Sequence, residues 1–456
     1  MKCANERKAD AVFAKAIAKI KPSQKETAKD FEAANHLIKK LQAVSPANVT
    51  IELAGSLAKG TDLKGKNEFD IFILFPTTYE HKEMVLLGLS YARRAFHGMK
   101  LESRYAEHPY LQVFHGDYHA DIVPAYRIGQ ISERGSSVDR SQLHTKYVNF
   151  KMDAKAKDDV RLLKQLMKNF GIYGAELRVE GFSGYLCELL VMHYGSLLKL
   201  MEAASEWESP AIDIEQHCIA RSNPREAFDS PLVVIDPVDA KRNVAAVVAN
   251  TSLSRFIFEC RRFLAAPSEK FFFSEKEVRR EQEIRKRMKE RGTACLAVKF
   301  PAPKVVADVL WPQLKKTAQA LARSLESGDF AVFGYYHWSD GNECVILFEL
   351  EQDELPMIRK AAGPSIKFAS DVDAFVKKHS RALNLHIEHD AIVAVEKREI
   401  FEARVALERA CARPSGLGVP SNMEIALSEC GIIEGEKIIS KKYAEFLSDY
   451  LFAKIA

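Results

Sequence analysis

Apolar and polar positions alternate in different rhythms along the chain, and the changes of rhythm divide it. Residues 4–45 carry helical spacing. Phe31, Leu37, Ile38 and Leu41 recur along one side, and Ser23 with Glu26 forms a capping box at the start of that stretch. From Val49 to Ala54 the pattern is that of a strand, ended by a tight turn at Gly55-Ser56. A second strand runs from Glu68 to Phe75 and stops at Pro76. A third lies near Tyr118 to Val123 and stops at Pro124. Strands alternating with helical segments predict an α/β or α+β unit that ends near residue 150.

Residues 155–265 read as mostly helical, with apolar-periodic stretches at 158–169, 183–201 and 240–265, and Ala266-Pro267-Ser268 marks a boundary. A charged helix is expected over 275–291, capped by Ser274 with Glu277 and ended by Gly292. Residues 293–350 read β–α–β–β. The strands are Thr293 to Phe300, Asp329 to Trp338 and Cys344 to Leu350, the helix is Val306 to Ser324, and Ser339-Asp340-Gly341-Asn342 is a hairpin turn. Helices around 369–381 and 440–454, an apolar strand at Ala391 to Val395 and a Gly/Pro stretch from Pro414 to Pro420 complete the chain. The expected class is a multidomain α+β protein. A mixed-sheet domain spans 1–152 and a helical central domain 153–268. A small sheet-plus-helix domain with a helical tail spans 269–456.

Composition adds limits. The 456 residues are enough for two to four domains, and 47% apolar with 28% charged residues is ordinary for a soluble protein. The longest apolar runs, such as Leu186 to Met192, are too short to span a bilayer. Lys2, Glu6, Arg7 and Lys8 open the chain without an apolar signal core, which predicts a cytoplasmic protein without a membrane partner. The eight cysteines form no CxxC pair and read as buried thiols, not as disulfides or a zinc site. A net charge of +4 permits RNA binding without arguing for it.

The chemistry concentrates early in the chain. Gly55-Ser56 ends a strand and opens a short helix, an arrangement that suits a phosphate or a plain turn. Glu68 and Asp70 lie two apart on an apolar strand and so face one side. Such a pair repels itself unless a cation lies between, or else belongs to a solvated edge. Asp121, beside Ile122 and Val123, is a third candidate. Three carboxylates from two adjacent strands beside a Gly-Ser turn suit two magnesium ions and a nucleoside triphosphate.

The run Gly55-Ser56-Leu57-Ala58-Lys59-Gly60-Thr61, then Glu68-Phe69-Asp70, then Asp121, resembles the nucleotidyltransferase signature shared by poly(A) polymerases and CCA-adding enzymes. Downstream blocks resemble the archaeal, class I CCA-adding enzymes. They are Arg104-Tyr105-Ala106-Glu107-His108-Pro109-Tyr110, Ile172-Tyr173-Gly174-Ala175-Glu176, Gly181 to Glu188, Asp236 to Ala245, Gly292 to Phe300 and Trp311-Pro312-Gln313-Leu314. The resemblance covers residues 30 to 350 in order.

It implies a polymerase-beta-like catalytic domain that uses magnesium. Its partners would be CTP, ATP and the acceptor end of tRNA, whose 3′-terminal CCA is added without a template and with release of pyrophosphate. A homodimer is also implied. Glu68, Asp70 and Asp121 would bind the metals, typically ~3.5–4 Å apart. Ser56 and Lys59 would touch the triphosphate, with lysine where the family usually has the bidentate fork of arginine. Ser141 stands where threonine is usual. His144, Lys164 and Tyr173 match further phosphate-side positions, and Arg242 matches the residue that reads the incoming base.

Plainer readings stand beside these. Lys164 is also read as a solvated helix lysine and Tyr173 as a core aromatic. Asp236 and Asp239 would orient Arg242 or the nucleotide, or Asp239 would cap a helix. The charged helix at 275–291 reads as a solvated face or an RNA contact, and Phe271-Phe272-Phe273 as core packing. Another terminal transferase such as a poly(A) polymerase, or an inactive RNA-binding protein of the same fold, is the competing function.

Overall fold

The computed structural model describes residues 2–105, 108–131, 138–217, 228–274 and 277–452. Contacts divide the chain into two compact units, residues 1–275 and 276–456. No helix among the described residues is long and apolar enough to cross a membrane.

The first unit opens with α1 (Lys2–Ile20) and α2 (Gln24–Gln42). It continues through β1 (Thr50–Ala54), α3 (Gly55–Lys59), β2 (Glu68–Phe75), α4 (His81–Ala95), β3 (Lys100–Tyr105), β4 (Pro109–His115) and β5 (Tyr118–Tyr126). The sheet order is β1-β2-β5-β4-β3, with β2 and β5 parallel and the other pairs antiparallel. Period-two alternation decides what each face carries. Phe69, Ile71, Ile73 and Phe75 of β2, with Ala120 and Ile122 of β5, pack under Leu37 and Leu41 of α2 and Met84 and Val85 of α4. The alternate positions Phe72, Leu74 and Ala125, with Ala54, form a smaller cluster of their own. Glu68, Asp70 and Asp121 share the parity of that second set and therefore its face.

The Ser23–Glu26 capping box forms as expected, while Phe31 stays exposed and Ala34 takes the buried position beside Leu37 and Leu41. Pro124 does not stop β5, which runs on to Tyr126. His119 and Arg127 donate their N–H groups to Asn67 and Phe75 on the β2 side. By alternation the missing N–H of Pro124 falls on the opposite side, where pairing with β4 ends at Leu111–Ile122.

The helical part of this unit contains α5 (Arg140–Lys151), α6 (Ala154–Asn169), α7 (Gly184–Tyr194) and α8 (Leu197–Ser205). After them come β6 (Ala211–Ile212), β7 (Val233–Asp236), β8 (Asp239–Asn243) and α9 (Asn250–Ala265). Its core joins α1 through Phe13 and Ala16 to Leu163 and Leu166 of α6, Leu189 and Leu190 of α7, and Phe256 and Phe263 of α9. The apolar stretch at 183–201 is two helices, broken at Gly195 with φ +79°. The helix expected over 240–265 begins only at Asn250. Residues 239–243 form β8 instead, because the Asn243 side chain accepts from Val234 N–H and donates to Leu232 O, fixing a hairpin with β7. Phe271 and Phe272 are buried in the helical core, as the core-packing reading expected.

The second unit contains α10 (Glu281–Arg291), β9 (Ala294–Pro301), α11 (Ala307–Ser327), β10 (Val332–Ser339), β11 (Glu343–Leu350), β12 (Ile358–Ser365) and α12 (Ala369–Lys378). It ends with β13 (Asn384–Glu388), β14 (Ala391–Lys397), α13 (Ala403–Ala412), α14 (Ser421–Leu427), β15 (Gly431–Glu434) and α15 (Ala444–Leu451). The expected β–α–β–β order is present, within a sheet ordered β10-β11-β9-β15. The Asp340 carboxylate closes its hairpin by accepting from Asn342 and Glu343 N–H. A second sheet, β12-β14-β13, carries α12. The charged helix starts at Glu281, not near residue 275, because Ser274 is engaged elsewhere: its N–H and hydroxyl both donate to the Asn169 carboxamide. Glu275 and Lys276 of that expected helix lie outside the described residues, as do Ala106 and Glu107 of the 104–110 block. Gly292 ends the helix at φ +65°, as expected. Cys187, Cys260, Cys295, Cys344 and Cys411 are buried free thiols and Cys430 is half-buried; Cys218 lies outside the described residues.

Candidate active site

The site is built on one pairing. β2 and β5 run parallel with Asp70 directly opposite Asp121, and Ala54 at the end of β1 faces Asp70 from the other side. The chain then turns at Gly55 with φ +70°, and a Cβ there would lie 1.9 Å from Asp70 Oδ2. Glycine is therefore needed twice, for its backbone conformation and for the room it leaves the carboxylate. Burial, followed by the neighbouring Asp121 charge, raises the Asp70 carboxyl to about 6. Burial also raises Asp121, against a hydrogen bond of 2.8 Å from Gln112 Nε2 on β4.

Glu68 stands apart. It is exposed, ion-paired to Lys66 at 3.2 Å, and 3.9 Å from His119, its partner position on β5. Among the described residues no three His, Cys, Asp or Glu side chains converge as a ready metal cage. The expected triad is thus a facing pair plus a third acid turned aside. Unneutralised carboxylates repel, and Lys66 offers Glu68 a nearer counter-charge. The donor chemistry nevertheless fits a hard divalent cation: the donors are all carboxylate oxygens, and burial raises the facing pair even against the nearby positive charges.

A second cluster lies behind α3. Lys59 Nζ reaches Glu188 Oε2 on α7 at 2.8 Å, and Glu188 Oε1 accepts from Thr61 Oγ1 at 2.7 Å and from Lys164 Nζ at 3.3 Å. Lys164 also donates to Thr61 Oγ1 and O. Lys164 is thus not the solvated lysine of the plainer reading: it is 3% exposed, and burial lowers it from the usual lysine range. Burial would raise Glu188, but the two lysines and Thr61 bring it down to about 2, so it stays ionised. Tyr173 is near by. A Cβ on Gly184 would lie 3.1 Å from its hydroxyl and 3.6 Å from Lys164 Nζ. Burial raises the Tyr173 phenol, which stays protonated at neutral pH.

A third cluster surrounds Asp236. It accepts from Arg242 Nη1 at 2.8 Å, from the Tyr185 hydroxyl at 3.1 Å and from Val238 N–H at 3.1 Å, and it meets His144 Nε2 at 3.0 Å. Burial opposes ionisation of Asp236, but these partners bring it to about 2. The His144 ring lies on the Tyr185 ring with centroids 3.8 Å apart, and burial lowers its imidazole despite Asp236. Asp236 therefore orients Arg242. Asp239 caps no helix: it pairs with Arg140 Nη1 at 2.9 Å and accepts from Lys241 N–H inside the hairpin. Tyr185 links the clusters, since Lys59 Nζ sits 5.2 Å from its ring centroid.

Ser56 lies half-buried on α3, its carbonyl accepting from Thr61 N–H, and Ser141 lies in the first turn of α5, one turn before His144. Thr61, Tyr185 and Glu188 stood within the quoted motif blocks without a role of their own, and Gln112 was not singled out from sequence. Glu188 left a signal: a lone carboxylate within Leu186-Cys187-Glu188-Leu189-Leu190-Val191 must find buried partners.

Comparisons with known proteins assign the chain to a family. Residues 35–147 match the family model of the nucleotidyltransferase domain, and residues 158–273 that of the tRNA nucleotidyltransferase second domain. Residues 291–432 match the C-terminal domain of CCA-adding enzymes. A CCA-adding enzyme of Methanosarcina mazei is 36% identical over 402 residues, 86% of this chain and 87% of the relative. The chain belongs to the CCA-adding enzyme family. Further members from Methanoregula boonei and Archaeoglobus fulgidus are 35% and 33% identical, covering 94% and 98% of this chain and 93% and 100% of theirs. A solved cytoplasmic RNA terminal U-transferase superposes with TM-score 0.47 at 16% identity, over 59% of this chain and 99% of its own. The poly(A) polymerase reading is not favoured, because the second and C-terminal models are those of tRNA nucleotidyltransferases and CCA-adding enzymes.

Proposed function

We propose that this chain rebuilds the 3′-terminal CCA of tRNA from CTP and ATP, with Glu68, Asp70 and Asp121 as its metal-binding carboxylates. The observation that carries the site assignment is the Asp70–Asp121 register across β2 and β5. Glu68, one turn of the pleat from Asp70, would complete the ligand set by rotating away from Lys66. Magnesium bound there supplies Lewis-acid activation of the attacking hydroxyl and charge neutralisation of the leaving group. In the reaction the 3′-oxygen of the RNA bonds to the α-phosphorus, the bond to pyrophosphate breaks, and the hydroxyl proton is lost.

The chain's own groups bind and orient. Ser56, Lys59, Lys164 and the Tyr173 hydroxyl face the triphosphate as donors and positive charge. Arg242 is held at one nitrogen by Asp236, which aims the rest of its donor-only fork at acceptors on the base edge. His144, packed on Tyr185, and Ser141 on the same helix line the nucleotide side. Residues 1–152 act as the catalytic domain, 153–268 as the helical domain beside it, and 269–456 as the tRNA-binding body and tail. We read the enzyme as a cytoplasmic homodimer.

The test is a tRNA-binding assay run beside an addition assay for Asp70→Asn. Addition should stop while tRNA binding persists, because RNA affinity comes mainly from phosphate contacts elsewhere. Retained addition, or tRNA binding lost in step with activity, contradicts the assignment.

A further inference from the structure

Glu188 belongs to no acidic site, yet it is 1% exposed and stays ionised. It sits in the first turns of α7, and both its oxygens are used. One takes Lys59 of α3; the other takes Thr61, in the loop after α3, and Lys164 of α6. The end of α3 with its following loop, and α6, thus meet at one carboxylate of α7. The loop is fixed from a second direction, since Arg161 of α6 donates to the Asp62 carbonyl at 2.8 Å and Thr61 N–H donates to Ser56 O at 3.0 Å.

Two buried lysines face one carboxylate in this array. Beyond it, Lys59 acts on Asp70, whose carboxyl its charge draws down against burial, and burial lowers Lys164 from the usual lysine range. An anion arriving beside the two lysines would favour their charged forms. Tyr173 and the first residue of α7, Gly184, border Lys164 on the same side. The chemistry that this arrangement would recognise is a polyphosphate.

We infer that Glu188 is a positioning residue for the nucleotide's triphosphate, holding Lys59, Lys164 and Thr61 in one array without touching the substrate itself. This rests on the nucleotidyltransferase reading above. Glu188 balances one lysine and leaves the other's charge for the phosphates. Replacing it by glutamine keeps the shape, removes the charge and turns an amide donor toward one ammonium group. Both lysines would then repel each other and draw away from the array.

The experiment measures CTP affinity in magnesium by equilibrium dialysis, tRNA affinity by filter binding, and the thermal melt. It compares wild type, Glu188→Gln, Glu188→Asp, Lys164→Met and the Glu188→Gln/Lys164→Met double variant. Glu188→Gln should weaken CTP binding roughly tenfold with tRNA affinity unchanged. Glu188→Asp should fall between it and wild type. In the Lys164→Met background the Glu188→Gln loss should shrink severalfold, because Glu188 acts through Lys164. Unchanged CTP affinity, or losses that simply add, overturns the inference. If Glu188→Gln does not melt cooperatively, Glu188→Asp decides alone: weakened CTP binding with normal tRNA affinity supports the role, and wild-type affinity overturns it. Wild-type protein that takes up no CTP contradicts the nucleotidyltransferase reading itself, a result distinct from a silent Glu188.

Discussion

Asp70 of β2 and Asp121 of β5 stand directly opposite each other in a parallel pairing, on the sheet face away from the α2 and α4 core. Parallel register places the two side chains on one face at one level, and Gly55 keeps the space above Asp70 open. Burial raises both carboxyls, Asp70 further under the Asp121 charge. Burial thus disfavours the charged form of each acid in the protein alone, which is the ground for the proposed cation site.

Asp121→Asn should stop nucleotide addition, by roughly a thousandfold or more, and leave the fold intact. The amide preserves shape, and Gln112 still has an oxygen to meet. Addition assays and a thermal melt check this together. A folded variant that incorporates CMP and AMP at the wild-type rate removes Asp121 from the metal site.

The raised Asp70 carboxyl also gives a pH signature. With its folded value at about 6, above the ordinary 3.8 of the unfolded chain, the neutral form is favoured by folding. That stabilisation is complete below about pH 4 and is lost as pH rises through about 6. In metal-free protein, Asp70→Asn should therefore stabilise by roughly 3 kcal/mol above pH 6 and by little near pH 4. Added magnesium should raise the wild-type melting temperature and close that gap. A difference between variant and wild type that does not change across pH 4 to 7 contradicts this assignment of the titration.

Much of this was legible in sequence because period-two and helical patterns report burial directly. β2, with its two acids on an apolar strand, could be read in that way, as could the Ser23–Glu26 cap and the hairpin at Asp340. The polar edge strand β3 and the exposed strands β12 and β13 could not, because nothing in their composition marks a buried face. β8 carries Asp239, Lys241 and Arg242 and owes its conformation to one Asn243 side chain, a tertiary cause that no local pattern shows. The acids of the site and Arg242 could be named from motifs. The roles of the residues around them could not: Glu188 holds Lys59 and Lys164, and Tyr185 holds Asp236, through contacts with residues far along the chain.

Arg242→Ala should damage nucleotide choice as well as rate. Its guanidinium is tied to Asp236 at one nitrogen, so removal takes away an oriented donor and leaves Asp236 to His144, Tyr185 and Val238. Discrimination against UTP and GTP should fall roughly tenfold or more, the worth of one well-placed charged hydrogen bond. Competition assays with all four triphosphates measure it. Unchanged discrimination would show that Arg242 does not read the base.

The central claim is that the chain adds C, C and then A to tRNA. The most direct measurement incubates the protein with tRNA lacking its CCA end, magnesium and each labelled triphosphate, singly and together, and resolves the products at single-nucleotide length. The account predicts two additions from CTP alone, a third from ATP only after them, no uridine or guanosine, and no growth beyond three. Untemplated tails of adenosine or uridine, or no addition by folded protein, would contradict it.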